Sequence, residues 1–431
     1  MKTQLNLSRR NLLKRSAALG LTWSVPMVVP GHVLGKGAPA PSERITLGVI
    51  GYGGRCALIL PHFLAFDDVR CIAVSDCRVN RLAAAKHAVD THYGNEACAA
   101  HADFRELLAR ADVDSVLIAT GDRWHAPLSI LAAKAGKDIF CEKPVSMTVG
   151  EGRALVDTTV SYGTVYQACH QRRSVAPYRF QAEVVRKGMI GEVHTIICQV
   201  WEGPTVAYRE PTPVPEGFDY DMWLGPTPWR PYNEAYVRGW NYFWDVGGGP
   251  LIGMGCHYTD LAQWALLRDD TGPVDYEGTA TWKADAYSET PVTAECTCTY
   301  ADGIKILLRS SGTFADRYIR FVGSEGWVQV DDHTNAVTTY PESIRRDASI
   351  TAQGYAQTGD HVRNWLDCIK SRSRPICHPE SAHRANTICH AVNIGLRLGR
   401  SLKWDPQAER FLDDDQANAK LHRALRPPWT V

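Results

Sequence analysis

Apolar residues first run together at Ile45–Ile50, break at Gly51-Tyr52-Gly53-Gly54, regain helical spacing over residues 56–66, and run together again over Val69–Ser75 up to Asp76. Short apolar runs closed by glycine read as buried strands, and three-four spacing reads as helix, so the chain opens β-α-β. Further apolar runs at 115–119, 138–141 and 165–168 alternate with helical patterns at 126–135 and 149–161. Such alternation predicts an α/β fold with a parallel, doubly wound sheet. Beyond about residue 190 the rhythm changes: residues 193–201, 278–283, 293–299, 304–310, 317–322 and 327–330 read as strands with no long helices between them. That predicts a second, antiparallel sheet. Residues 361–371 and 382–399 read as helices able to pack back on the first part.

A chain of 431 residues exceeds what one hydrophobic core usually serves, which agrees with two domains. Lys+Arg and Asp+Glu both number 47, so no global charge excess draws the chain to nucleic acid or anionic membrane, and a small neutral substrate suits the balance. The 13 cysteines show no C-x-x-C spacing and are read as buried thiols. His378 beside Cys377 and His390 beside Cys389 are adjacent pairs, which rarely ligate one ion together, so no metal site is assigned.

The first residues carry a different signal. Ser8-Arg9-Arg10-Asn11-Leu12-Leu13-Lys14 is similar to a twin-arginine export signal, and the apolar stretch from Ala17 to Pro30 is too broken by Gly, Ser and Pro to span a membrane. No cysteine precedes Cys56, which excludes a lipoprotein anchor, and cleavage is expected between Gly35 and Ala40. The expectation is a periplasmic or extracellular protein handled by the twin-arginine machinery, which exports folded proteins, often with a cofactor already loaded.

The glycine turn after the first strand supplies that cofactor's signature. In Gly51-x-Gly53-x-x-Cys56 the first glycine allows a tight turn, the second lets backbone approach a pyrophosphate, and the helix N-terminus faces its charge. Asp76 ends the second strand where a ribose-binding carboxylate belongs, favouring NAD over NADP, while Arg78 keeps NADP open. The expected organisation is a leader and linker over 1–40, a dinucleotide-binding Rossmann domain over 41–168, an α+β substrate and oligomerisation domain with a large, mostly antiparallel open sheet over 169–400, and a tail over 401–431.

Cys141-Glu142-Lys143-Pro144 follows a short strand, and Thr120-Gly121-Asp122-Arg123-Trp124-His125 precedes it. Later come Met189-Ile190-Gly191-Glu192, Gly247-Gly248-Gly249-Pro250-Leu251, His257-x-x-Asp260, Gly323-Ser324-Glu325-Gly326 and Gly399-Arg400-Ser401-Leu402-Lys403-Trp404-Asp405. In this order the motifs resemble the glucose-fructose oxidoreductase, inositol dehydrogenase and MocA family, the last of them a secreted bacterial branch. The resemblance implies a tightly bound NAD (NADP possible), held by Gly51, Tyr52, Gly53, Gly54, Arg55, Asp76, Thr120, His125, Glu142 and Lys143. It implies a homo-oligomer, and a sugar or polyol substrate met by Lys143, Arg172, Trp244, Asp245, His257 and Asp260. By the same resemblance Lys143 and His257 are catalytic, the lysine orienting the hydroxyl and the histidine taking its proton. A histidine titrates near neutrality and suits that task.

One departure stands out. Family dehydrogenases commonly carry Asp four residues before the catalytic histidine, and this chain has Gly253. Asp260, Asp245 or a substrate group is expected to substitute. The aromatic-rich stretch with Trp201, Trp223, Trp229, Tyr232, Tyr236, Trp240, Tyr242, Phe243 and Trp244 suits sugar rings, and core packing equally well. Alongside an oxidoreductase, the sequence leaves open a redox-neutral NAD-dependent glycosidase and a noncatalytic sugar-binding relative.

Overall fold

Strands β1 (Ile45–Ile50), β2 (Val69–Ser75), β3 (Ala99–His101), β4 (Ser115–Ile118), β5 (Asp138–Cys141) and β6 (Tyr166–Ala168) form one parallel sheet in the order β3-β2-β1-β4-β5-β6. The computed structural model describes residue 40, residues 43–347 and residues 360–430. The leader motif and the expected cleavage site lie outside the described residues. Every residue of β4 and β5 is buried, because helices cover both faces, and this is why those strands read as unbroken apolar runs rather than alternating ones. The helices Gly54–Leu64, Val79–Tyr93, His125–Lys134 and Val149–Ser161 supply most of that cover. The helix His361–Ser371 returns to this sheet, as its sequence pattern suggested. Its Trp365 meets Phe63 and Phe140 edge to face at 5.9 and 5.6 Å.

The second sheet joins β7 (Val193–Val200), β8 (Asp275–Thr281), β9 (Thr293–Thr299), β10 (Lys305–Ser310), β11 (Tyr318–Gly323), β12 (Gly326–Asp331), β13 (Val337–Tyr340), β14 (Leu402–Asp405) and β15 (Arg410–Phe411). Their order is β13-β12-β11-β7-β10-β9-β8-β14-β15. Neighbours are antiparallel except β7 and β10, which pair parallel, so the sheet is mixed rather than purely antiparallel. Burial alternates along β9, β10 and β11, since only one face is covered by the helices Ala176–Arg186, Gly255–Ala265 and Pro379–Leu398. The helix Pro379–Leu398 is buried nearly all round, packing against Gly255–Ala265 on one side and Val149–Ser161 on the other. It is the element the two cores share. The residues expected as a C-terminal tail add β14 and β15 to the second sheet and then return to the first, where Trp429 packs on Trp124 at 4.7 Å. All 13 cysteines are free thiols, and only Cys77 is not fully buried.

Candidate active site

The order of the first sheet reverses direction between β1 and β4, and a crevice opens beyond the carboxyl ends of those two strands. A cavity of about 270 Å³ occupies it, lined by Gly51, Tyr52, Gly53, Gly54, Arg55, Asp76 and Thr120. Gly51 has φ +86°, and a Cβ there would stand 2.8 Å from Thr120 Cγ2 and 2.9 Å from the Ala119 carbonyl oxygen. The chain can make this turn only with glycine. Asp76 Oδ2 accepts from the Tyr52 amide at 2.7 Å and its Oδ1 from the Arg78 amide at 2.8 Å, so the carboxylate also clamps the glycine turn. The open glycine backbone, the start of an 11-residue helix and a carboxylate together fit a dinucleotide. Arg78, weighed above as a phosphate partner, instead stacks on the Phe218 ring at 3.9 Å; Arg81 lines the cavity. Gly51→Ala is expected to cost about 1–3 kcal/mol of stability and to weaken NAD binding. Denaturant unfolding and NAD titration check this, and unchanged values in both would show that the turn is not constrained.

The first cavity meets a second, of about 370 Å³, at Arg55, Ala119, Thr120 and Trp240, which line both. The second contains His125, Glu142, Lys143, Arg172 and His257, brought together from four separate segments. Glu142 is held by Arg55 at 2.5 Å. Burial pushes its carboxyl up, but Arg55 and Lys143 outweigh that and keep it below the usual range. His125 is wedged between the Pro144 carbonyl oxygen at 2.7 Å and that of Thr120 at 3.3 Å, fixing one loop against the other. Lys143 Nζ donates to the Gly253 carbonyl oxygen at 2.5 Å. His257 lies in the first turn of the helix Gly255–Ala265, and its buried Nδ1 has no hydrogen-bond partner among the described residues. Burial, then Arg172 and Lys143, drive its pKa well below that of an ordinary histidine. It is therefore a neutral imidazole facing a cavity that also holds an ammonium group, a pairing of acceptor and donor suited to moving a hydroxyl proton.

Three expected substrate residues lie elsewhere. Asp260 is fully buried and held by Arg173 at 2.7 and 2.8 Å, in a cluster completed by Asp269. Trp244 and Asp245 line a different cavity of about 330 Å³, where Arg397 stands over the Trp244 ring and Arg230 pairs with Asp245. The physical reason is that the chain leaves the Lys143 cavity after Tyr242, buries Phe243 in a core of its own, and rejoins the cavity only at Gly249, while Arg397 and Arg230 hold Trp244 and Asp245 on the other side. The aromatic stretch divides likewise. Trp240 and Tyr242 line the Lys143 cavity with Trp201, whereas Trp223, Tyr236 and Phe243 form a small core of their own.

Sequence reasoning passed over two groups, one lining the cavity and one behind it. Asp122 lies inside a quoted motif, lines the cavity, and has its pKa raised by burial to about 7 against the pull of Lys143. His170 is fully buried, its ring 5.5 Å from that of His257, and burial pushes its pKa far down. Asp122 carried the only readable signal, its place in the motif at 120–125 just after a buried strand.

A parallel sheet with a glycine cradle at its reversal point, opening onto a lysine and a neutral histidine, defines a two-domain dinucleotide-binding oxidoreductase. The chain belongs to the oxidoreductase family named above: residues 45–170 match its NAD-binding Rossmann fold and residues 191–431 its C-terminal alpha/beta domain. It is similar to the myo-inositol 2-dehydrogenase of Thermotoga maritima, 24% identical over 368 residues, covering 83% of this chain and 98% of that protein. A glycosyl hydrolase family 109 protein of Saccharopolyspora erythraea is 36% identical over 172 residues, 35% of this chain and 36% of that protein. Among solved structures, the WlbA dehydrogenase of Chromobacterium violaceum in complex with NADH and UDP-GlcNAcA shares the fold, with TM-score 0.65 and 18% identity over 85% of this chain and 98% of that one.

Proposed function

We propose that the protein moves hydride between a hydroxyl-bearing carbon of a sugar or polyol and a tightly held NAD. The observation that carries this reading is the placement of Lys143 and a neutral His257 in one cavity that opens into the dinucleotide cavity at Arg55, Thr120 and Trp240. Bound NAD supplies the hydride acceptor. His257 takes the hydroxyl proton, Lys143 donates a hydrogen bond to the oxygen as it gains negative charge, and Arg55 holds Glu142 so that its carboxylate does not claim the lysine. Retention is supported by the segment around the helix Tyr220–Leu224, whose Met222 and Trp223, with Trp240, wall the dinucleotide cavity. The Trp223 carbonyl accepts from Arg123 Nε at 2.6 Å, and the Met222 carbonyl from Trp124 Nε1 at 3.0 Å. Asp76 supports NAD over NADP. The twin-arginine-like leader supports export with the cofactor loaded, because a free dinucleotide pool is not expected outside the cytoplasm.

A second reading, the redox-neutral glycosidase, is favoured by Asp122. A carboxyl with pKa about 7 and the Tyr242 hydroxyl in the same cavity could share the acid and base steps of elimination and water addition. The protein purified without added cofactor separates the two. Bound dinucleotide whose reduced-nicotinamide absorbance rises with sugars or polyols is expected. Nitrophenol release from a glycoside with no net absorbance change would give the glycosidase, and a protein that neither carries nor takes up dinucleotide would overturn both.

A further inference from the structure

The balanced charge of the whole chain conceals an imbalance at the Lys143 cavity. Arg172 lines it, with Nε and Nη2 bonded to Asp332 at 2.6 and 2.8 Å, but Asp332 also pairs with Arg317 at 3.2 Å. One carboxylate thus serves two guanidinium groups and leaves a net positive charge. Lys143 has no carboxylate within ion-pair distance among the described residues; its hydrogen bond goes to a backbone carbonyl. Of the acidic side chains lining the cavity, Glu142 is taken by Arg55 and Asp122 is partly protonated near neutrality. Partly buried positive charge without a counter-charge is costly unless a ligand supplies one.

The same cations flank one open position. Lys143 Nζ reaches the Gly253 carbonyl, and Arg172 Nη2 lies 3.7 Å from the sulfur of Met254, the next residue. A Cβ built on Gly253 meets nothing within 4 Å, although the residues on either side of it are buried. Position 253 therefore opens onto free space, with an ammonium on its own carbonyl, a guanidinium beside the next side chain, and His257 one helical turn away.

We propose that the substrate is an acidic carbohydrate, an aldonic or uronic acid, whose carboxylate sits over Gly253 between Arg172 and Lys143 while one of its hydroxyls faces His257. This rests on the oxidoreductase reading and narrows it from sugars and polyols in general. The carboxylate supplies the missing counter-charge and fills the space that glycine leaves.

The test is calorimetric titration of the NAD-loaded protein with matched pairs, glucuronate against glucose and gluconate against sorbitol. The acid of at least one pair is expected to bind about tenfold tighter or more than its neutral partner, with the gap shrinking as salt rises. Gly253→Asp puts a fixed carboxylate in the same space and should remove that preference, whereas Gly253→Ala should keep it. Thermal melting of both variants shows whether they are folded. Equal binding of acid and neutral partners, no binding by either, or a preference that survives Gly253→Asp in a folded protein would overturn the inference. Failure of the oxidoreductase reading shows separately, as absence of bound or loadable NAD before any sugar is added.

Discussion

A Lys143→Met protein is expected to fold, to hold its dinucleotide, and to turn over about a thousandfold more slowly or worse. The size follows from the role proposed for the side chain: it is the one lysine lining the cavity, the donor to the oxygen that gains charge, and removing such a donor or proton-transfer partner typically costs 10²–10⁴-fold. Stability should change little, because Lys143 is only partly buried and its single hydrogen bond is to the Gly253 carbonyl, which water can satisfy. Methionine keeps most of the stem's volume and removes only the charge. The measurements are turnover at saturating substrate, NAD content after purification, and the melting temperature. Turnover within tenfold of the parent protein, with NAD retained, would remove Lys143 from the chemistry and shift attention to Asp122.

Much of the first sheet was legible because its evidence is local. β1, β2 and β5 and the helix Val149–Ser161 fall on the residues their patterns marked, since each lies in an apolar stretch with a clear stop. The helix Val79–Tyr93 gave no such signal. Only Ala85 and Val89 of its 15 residues are buried, so no apolar stripe repeats along it. The parallel pairing of β7 with β10 was invisible for another reason: more than a hundred residues separate them, and strand direction leaves no mark in either sequence.

The site divides along the same line. The glycine cradle and Asp76 are contiguous with their strands, and motifs in order brought Lys143 and His257 into view. Asp332, which sets the charge of Arg172, lies 160 residues away from it in sequence. Trp244, Asp245 and Asp260 sat beside the right motifs, but Arg397 over the Trp244 ring and the ion pairs of Asp245 with Arg230 and of Asp260 with Arg173 decide which way they face. Proximity in sequence identified the neighbourhood of the chemistry and could not orient it.

That buried chemistry predicts a steep acid limit to the fold. His125, His170, His257, His361, His378 and His390 all have pKa values lowered by burial, His361 to about 4 and His378 and His390 to about 3. An unfolded histidine titrates near 6.5, so below that pH the unfolded chain takes up protons that the folded one refuses. Their contribution is therefore complete above about pH 6.5 and is lost as pH falls toward the folded values. Asp122 and Asp260 act in the opposite sense: burial raises them to about 7 and about 6, so the folded state gains protons first and is favoured as pH falls toward the ordinary carboxyl range. Each fully differing group is worth about 1.4 kcal/mol per pH unit, and the five histidines lowered furthest against two aspartates leave a net loss of about 4 kcal/mol per unit. A domain's whole stability is about 5–15 kcal/mol. Circular dichroism followed from pH 8 downward at fixed ionic strength should thus show a flat region to about pH 6.5 and cooperative unfolding centred at roughly pH 5. A protein that stays folded to pH 4 would mean that these imidazoles accept protons in place, and His257, buried beside two cations, would then lose the neutrality on which its role as a base depends.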